Sequence, residues 1–129
     1  MRYPSYELLV ELHIHLMRDL WGETFYGPCR PELLQSAIAR PRQAACYELA
    51  NELRQAAYLF QGLLMNHGFL QGNKRTAYAM LEWFLAINRL GEIAAADDDV
   101  VRFCSEAENH QWSIDDIEDW LRANIEPRS

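Results

Sequence analysis

Residues His67 to Arg75 read HGFLQGNKR, and their types and order suit the handling of phosphate. An imidazole that is neutral near pH 7 can take a proton from a hydroxyl. Gly72 lets a backbone approach an anion closely, and Asn73 can cap a helix or donate an amide hydrogen bond. Lys74 supplies a point charge, and Arg75 a planar fork able to grip two phosphate oxygens. The stretch runs directly into an apolar segment with helical character, whose N-terminus would present unpaired N–H groups and the positive end of a dipole. A hydroxyl activated by His67 and a phosphate held by Gly72 to Arg75 would be neighbours, as phosphoryl or nucleotidyl transfer requires. Phe69 is expected to point inward and anchor the loop.

Helices must position this loop. Leu8, Leu9, Leu12, Leu16 and Leu20 recur at helical spacing after Pro4 and Ser5, predicting a first helix from about Ser5 to Leu20. Trp21 to Arg30, with Gly22, Gly27 and Pro28, reads as an exposed loop or short hairpin. Pro31 suits the first position of a short helix that Pro41 is expected to stop. A longer helix is predicted from about Gln43 to Met65, with Cys46, Leu49, Ala50, Leu53, Ala57, Phe60 and Leu64 on its apolar face. Thr76 to Ile87 carries only Thr76 and Glu82 as strongly polar residues, which predicts a central helix. Asp97 to Asp99 favour another helix start, and Ser113, with Asp115 and Asp116, caps the last. The expectation is one all-α domain over residues 1–129, of about six helices with a central apolar helix fed by the loop.

Composition narrows the function classes. A formal net charge of -7 argues against a nucleic-acid partner, because phosphate backbones require a concentrated basic surface. No apolar run is long enough to suggest a membrane span, and Met1 to Pro4 pass straight into a periodic segment without a signal-peptide core, so a cytoplasmic protein is expected. Cys29, Cys46 and Cys104 are widely spaced and form no CxxC pair, which favours reduced thiols over disulfides or a zinc site. His13, His15 and His110 lack the neighbours that single out His67 and are read as structural.

The loop resembles the Fic/Doc motif, H-x-F-x-(D/E)-(G/A)-N-(K/G)-R, with His67, Phe69, Gly72, Asn73, Lys74 and Arg75 at matching positions. The segment Pro31 to Pro41 is similar to the corresponding part of the short Doc-like, death-on-curing branch. The resemblance implies an all-α Fic fold, with His67 as general base for attack by a protein hydroxyl on a nucleotide phosphate. It further implies an anion hole at Gly72 to Arg75, ATP or another nucleoside triphosphate as donor, and Mg2+ bridging the phosphates. Trp21 to Arg30 would be a flap that docks a target segment by backbone pairing, with Tyr26 and Arg30 placed to touch it.

Three departures shape the reading. Gln71 stands where the family has a metal-binding carboxylate, and a neutral amide oxygen is a poorer partner for a hard divalent cation. Tyr78 replaces the second arginine of adenylylating members. Lys74 matches the Asn-Lys-Arg of the Doc-like branch, which is similar to a protein kinase acting on a translation elongation factor, and this tilts the expectation towards phosphate transfer. The alternatives are AMP or other nucleotidyl transfer, and a catalytically weakened fold serving as a binding or regulatory module. The inhibitory pattern Ser/Thr-x-x-x-Glu-Gly/Asn is not found: Ser105 comes closest, but Asn109 occupies the glutamate position. A trans-acting antitoxin is the partner expected in its place.

Overall fold

A computed structural model describes residues 1–128. Ser5 opens the first helix by accepting a hydrogen bond from the Leu8 N–H at 3.0 Å, and α1 runs Tyr6–Ile14. The chain then widens into a π turn over His15–Leu20, in which Trp21 N–H reaches back to Leu16 O at 3.0 Å. The extra residue per turn changes which side chains face inward. Met17 becomes fully buried, whereas Leu20, expected on the apolar stripe, is exposed.

Helix α2 spans Pro31–Tyr47, with Pro31 at its start, and Pro41 lies inside it. This corrects the predicted stop at Pro41. An internal proline costs about 3 kcal/mol of helix stability. Here Leu34, Ala37, Pro41 and Ala44 form one buried stripe, so burying the proline ring with that face offsets the lost hydrogen bond. The break falls instead at Glu48 to Asn51, where Leu49 adopts φ 55° and is almost fully exposed. Asn51 restarts the helix by accepting from Arg54 N–H at 2.8 Å, and α3 runs Glu52–Asn66. Cys46 and Leu49 therefore do not belong to the apolar face predicted for this helix, and both lie at the surface.

α4 spans Asn73–Ile87 and buries Thr76, Ala77, Met80, Leu81, Phe84 and Leu85, as its near-absence of polar residues predicts. It shares the centre with α3, which packs against α2, α4, α5 and α6. α5 covers Asp97–Asn109 with three aspartates in its first turn, and α6 covers Ile114–Asn124 behind a Ser113–Asp116 capping box. Trp120 stacks on Phe103 at 3.8 Å between ring centroids and Phe103 on Phe60 at 4.9 Å, tying α5 and α6 to α3. Two short strands that the pattern does not announce, β1 (Glu92–Ile93) and β2 (Ile125–Glu126), pair antiparallel and tack the end of α6 beside the exit of α4. Among the described residues the fold is six α-helices, the π turn and this ribbon. No helix among them is long and apolar enough to cross a membrane.

Candidate active site

The stretch His67 to Arg75 occupies the turn between α3 and α4. His67 ends α3 in the left-handed conformation at φ 49°, which sends the chain away from the helix axis and leaves the imidazole exposed. Gly68 and Phe69 then dive inward, and Phe69 is only 3% exposed. Asn73 folds back over them: its Oδ1 accepts from Phe69 N–H at 3.0 Å, and its Nδ2 donates to Phe69 O at 3.1 Å. The Asn73 side chain thus fixes the loop, leaving its backbone N–H to serve a ligand.

Gly72 sits at φ 75° immediately before α4. A Cβ there would lie 2.5 Å from Met17 Sδ, so the left-handed backbone favours glycine and any side chain would have to push the end of Met17 aside. The first helical hydrogen bond is Thr76 N–H to Gly72 O at 2.9 Å. The N–H groups of Asn73, Lys74 and Arg75 therefore have no helical partner and, with the dipole, make an end of the kind that can receive an anion.

Both cations of this end meet carboxylates from outside the motif. Glu108, in the last turn of α5, places Oε2 3.7 Å from His67 Nε2 and Oε1 3.5 Å from Lys74 Nζ. Glu23, in the loop before α2, lies 3.7 Å from Arg75 Nη1, and the Arg75 guanidinium stacks 4.0 Å above the Trp21 ring. Neither glutamate announces itself in the sequence, because no motif or spacing links it to the loop. Ser105 and Asn109 carry the nearest match to the inhibitory pattern in α5, yet the α5 residue that reaches the site is Glu108.

Gln71 points the other way. Its amide nitrogen donates to the Phe25 carbonyl and to Glu23 Oε2 at 3.4 Å, which ties the motif loop to the flap. A carboxamide whose nitrogen faces a carbonyl and a carboxylate does not form the oxygen-rich donor set of a hard divalent cation. Among the described residues no group of three or more His, Cys, Asp or Glu is gathered to hold a metal. As placed, Gln71 is a weaker partner for magnesium than a carboxylate would be, and Glu23 is the carboxylate beside it.

The flap lies along the loop as a short antiparallel bridge between Pro28 and Phe69. Leu70 N–H donates to Gly27 O at 2.9 Å, and the Cys29 and Arg30 N–H groups both reach Gly68 O, at 2.9 and 3.0 Å. Arg30 projects into solvent, whereas Tyr26 is half-buried, with its ring 6.4 Å from that of His13. His13 itself is wholly buried, and burial lowers its pKa to about 4. A groove of about 420 Å³ adjoins Lys74 and Arg75, with Leu16, Trp21, Tyr78 and Val101 among its walls. Burial against these walls raises the pKa of the Tyr78 hydroxyl and of the Glu82 carboxyl, and Glu82 reaches the surface as its place in the apolar run requires. A larger hollow of about 730 Å³ near Gly91 and Ile125 contains none of the loop residues.

A family model described as Fic/DOC family matches residues 3–85, which include the flap, the loop and most of α4. A curated protein named Toxin Doc, from Mycolicibacterium smegmatis (strain ATCC 700084 / mc(2)155), is 48% identical over 73 residues, 54% of this chain and 54% of that protein. The chain spans about half the length of the curated relative it matches.

Proposed function

This chain belongs to the Fic/DOC family, and from that premise we propose that it is a Doc-like toxin that moves phosphate from a nucleoside triphosphate such as ATP to a protein hydroxyl. The observation that carries the reading is the position of Glu108. One carboxylate reaches both His67 Nε2 and Lys74 Nζ, so the base and the cation face a common space that already accommodates an anionic group. A phosphate entering that space would displace Glu108 and accept hydrogen bonds from the N–H groups that open α4.

In the proposed step the target hydroxyl gives its proton to His67 and its oxygen attacks the γ-phosphorus. The bond from that phosphorus to the bridging oxygen breaks, and the nucleoside diphosphate leaves with the electron pair. Lys74 and Arg75 hold the transferring and leaving phosphates by charge and by the guanidinium fork. A target strand would meet the flap through the few backbone groups between Phe25 and Arg30 that its contacts with the loop leave open, with the exposed Arg30 side chain beside them. A translation factor as target and a small antitoxin as trans-acting partner are part of this proposal and rest on the resemblance of the loop to the Doc-like branch; the relative's name supports only that this chain is toxin-like. Co-expression with a cognate neighbouring protein should relieve growth arrest; a neighbour that neither binds nor relieves it removes the antitoxin from this account.

The test of the reaction is transfer of label from ATP marked separately at the α- and γ-phosphates, using cell lysate as the source of targets and His67→Ala as control. Label from γ alone, lost in the variant, is the expected result. Label from α instead means nucleotidyl transfer by the same loop. Gln71 favours a further reading, a weakened fold that binds rather than transfers, because its amide is committed to the flap. Absence of transfer from either position, together with no growth defect on expression, decides for it.

A further inference from the structure

We propose that His13 is a positioning residue of this site, a buried imidazole that holds the flap, the motif loop and the start of α4 in one fixed arrangement. His13 lies on α1, far in sequence from the loop, and is fully enclosed. Its Nε2 accepts the Gly27 N–H at 3.1 Å, and its Nδ1 is 2.9 Å from Thr76 Oγ1. Because a backbone N–H can only donate, Nε2 carries no proton; in the neutral ring Nδ1 carries it and donates to the threonine oxygen. The lowered pKa agrees with that neutral tautomer.

The ring plane is set by a third contact, a stack on Phe69 at 3.7 Å between centroids and 9° between planes. Gly72 is adjacent as well, since a Cβ built on it would lie 3.7 Å from His13 Cε1. One side chain therefore touches the flap at Gly27, the loop at Phe69 and the helix start at Thr76, and lies beside the turn at Gly72. Gly27 is also the residue whose carbonyl accepts from Leu70 N–H, so holding its N–H fixes the register of the flap on the loop. A buried polar group with both nitrogens satisfied specifies one arrangement, where an apolar residue in the same space would fill it without choosing.

This role depends on the proposed transfer reaction only for its consequence, which is weaker docking of a target strand when the flap loosens. The experiment therefore reads the flap directly, by residue-resolved amide hydrogen exchange on the full chain without nucleotide or target. Glutamine places its terminal amide near the position of Nε2 and asparagine near that of Nδ1, so the two variants separate the flap contact from the threonine contact. In His13→Gln the Gly27 and Leu70 amides should stay within about threefold of the unaltered protein. In His13→Asn they should exchange at least about tenfold faster, with the Cys29 and Arg30 amides following and the α3 and α4 core amides within about twofold. His13→Phe, which keeps the stack and loses both polar contacts, should behave like His13→Asn. If that variant does not fold, the Gln and Asn pair decides. Equal loss in the Gln and Asn variants, loss spread evenly into α3 and α4, or unchanged flap amides in both would each overturn the assignment.

Discussion

Glu108→Gln should tighten the binding of a phosphate-bearing anion. The variant keeps the volume of the side chain and removes only its charge. In the unaltered protein an anion must first separate Glu108 from Lys74 at 3.5 Å and from His67 at 3.7 Å. Lys74 is about half exposed, so solvent screening limits its pair with Glu108 to roughly 0.5–1 kcal/mol, and the neutral His67 adds no charge pair. Once displaced by a side-chain swing to about 8 Å, the carboxylate still repels a dianion by roughly 0.5 kcal/mol after screening at physiological salt. The sum, about 1–1.5 kcal/mol, corresponds to roughly five- to thirteenfold tighter binding. Inorganic pyrophosphate titrated by calorimetry gives the affinity directly. Trp21 fluorescence gives an independent signal, because the Arg75 guanidinium rests on that ring. Raising the ionic strength to about 1 M should shrink the gap between the two proteins to about twofold, since screening then acts within about 3 Å. Equal or weaker binding by Glu108→Gln at low salt would show that the carboxylate organises Lys74 and His67 instead of standing where the phosphate goes.

Three further outcomes follow from the geometry. His13 has a folded pKa of about 4, below its usual value near 6.5, so its neutral form stabilises the fold above pH 6.5 and that contribution fades as pH falls from about 6.5 towards 4. At pH 5 the loss is about 2 kcal/mol; urea unfolding at pH 7.5 and 5.0 should show it as extra acid sensitivity over His13→Gln, and parallel behaviour of the two would sink it. Gly72→Ala should destabilise by about 2–4 kcal/mol, combining a left-handed alanine with crowding against Met17, and should also weaken pyrophosphate binding. Denaturant midpoints check the first part, and an unchanged midpoint contradicts it. Gln71→Asp would set a second carboxylate beside Glu23, so it should create magnesium affinity that calorimetry detects in the variant and finds at least about tenfold weaker in the unaltered chain; equal affinity in both would overturn the view that Gln71 weakens the metal site.

The parts of this site that were legible in the sequence are those that lie side by side along the chain. His67 to Arg75 is contiguous, so residue type and spacing alone place a base, a left-handed turn and two cations at the start of a helix. The helices were legible where propensity and packing agree, as in α4 and behind the Ser113 cap. They were misplaced where packing prevailed, at Pro41 inside the buried face of α2, or where a local capping residue outweighed an apolar pattern, at Asn51. The π turn was invisible because apolar spacing assumes a constant 3.6 residues per turn, yet it is this winding that brings Met17 beneath Gly72.

What closes on the loop from elsewhere follows the same logic and changes its chemistry. Adjacent helical residues project about 100° apart, so whether Glu108 or Asn109 meets His67 depends on how α5 rotates against α4, which no local pattern encodes. Read as a motif, the loop is a cationic cradle; folded, each of its two cations faces a glutamate drawn from another element. Attraction of a phosphate is therefore not set by Lys74 and Arg75 alone. It is the difference between what those cations gain from the ligand and what they give up with Glu108 and Glu23, and only the neutral N–H groups at the start of α4 add to binding without first losing a partner.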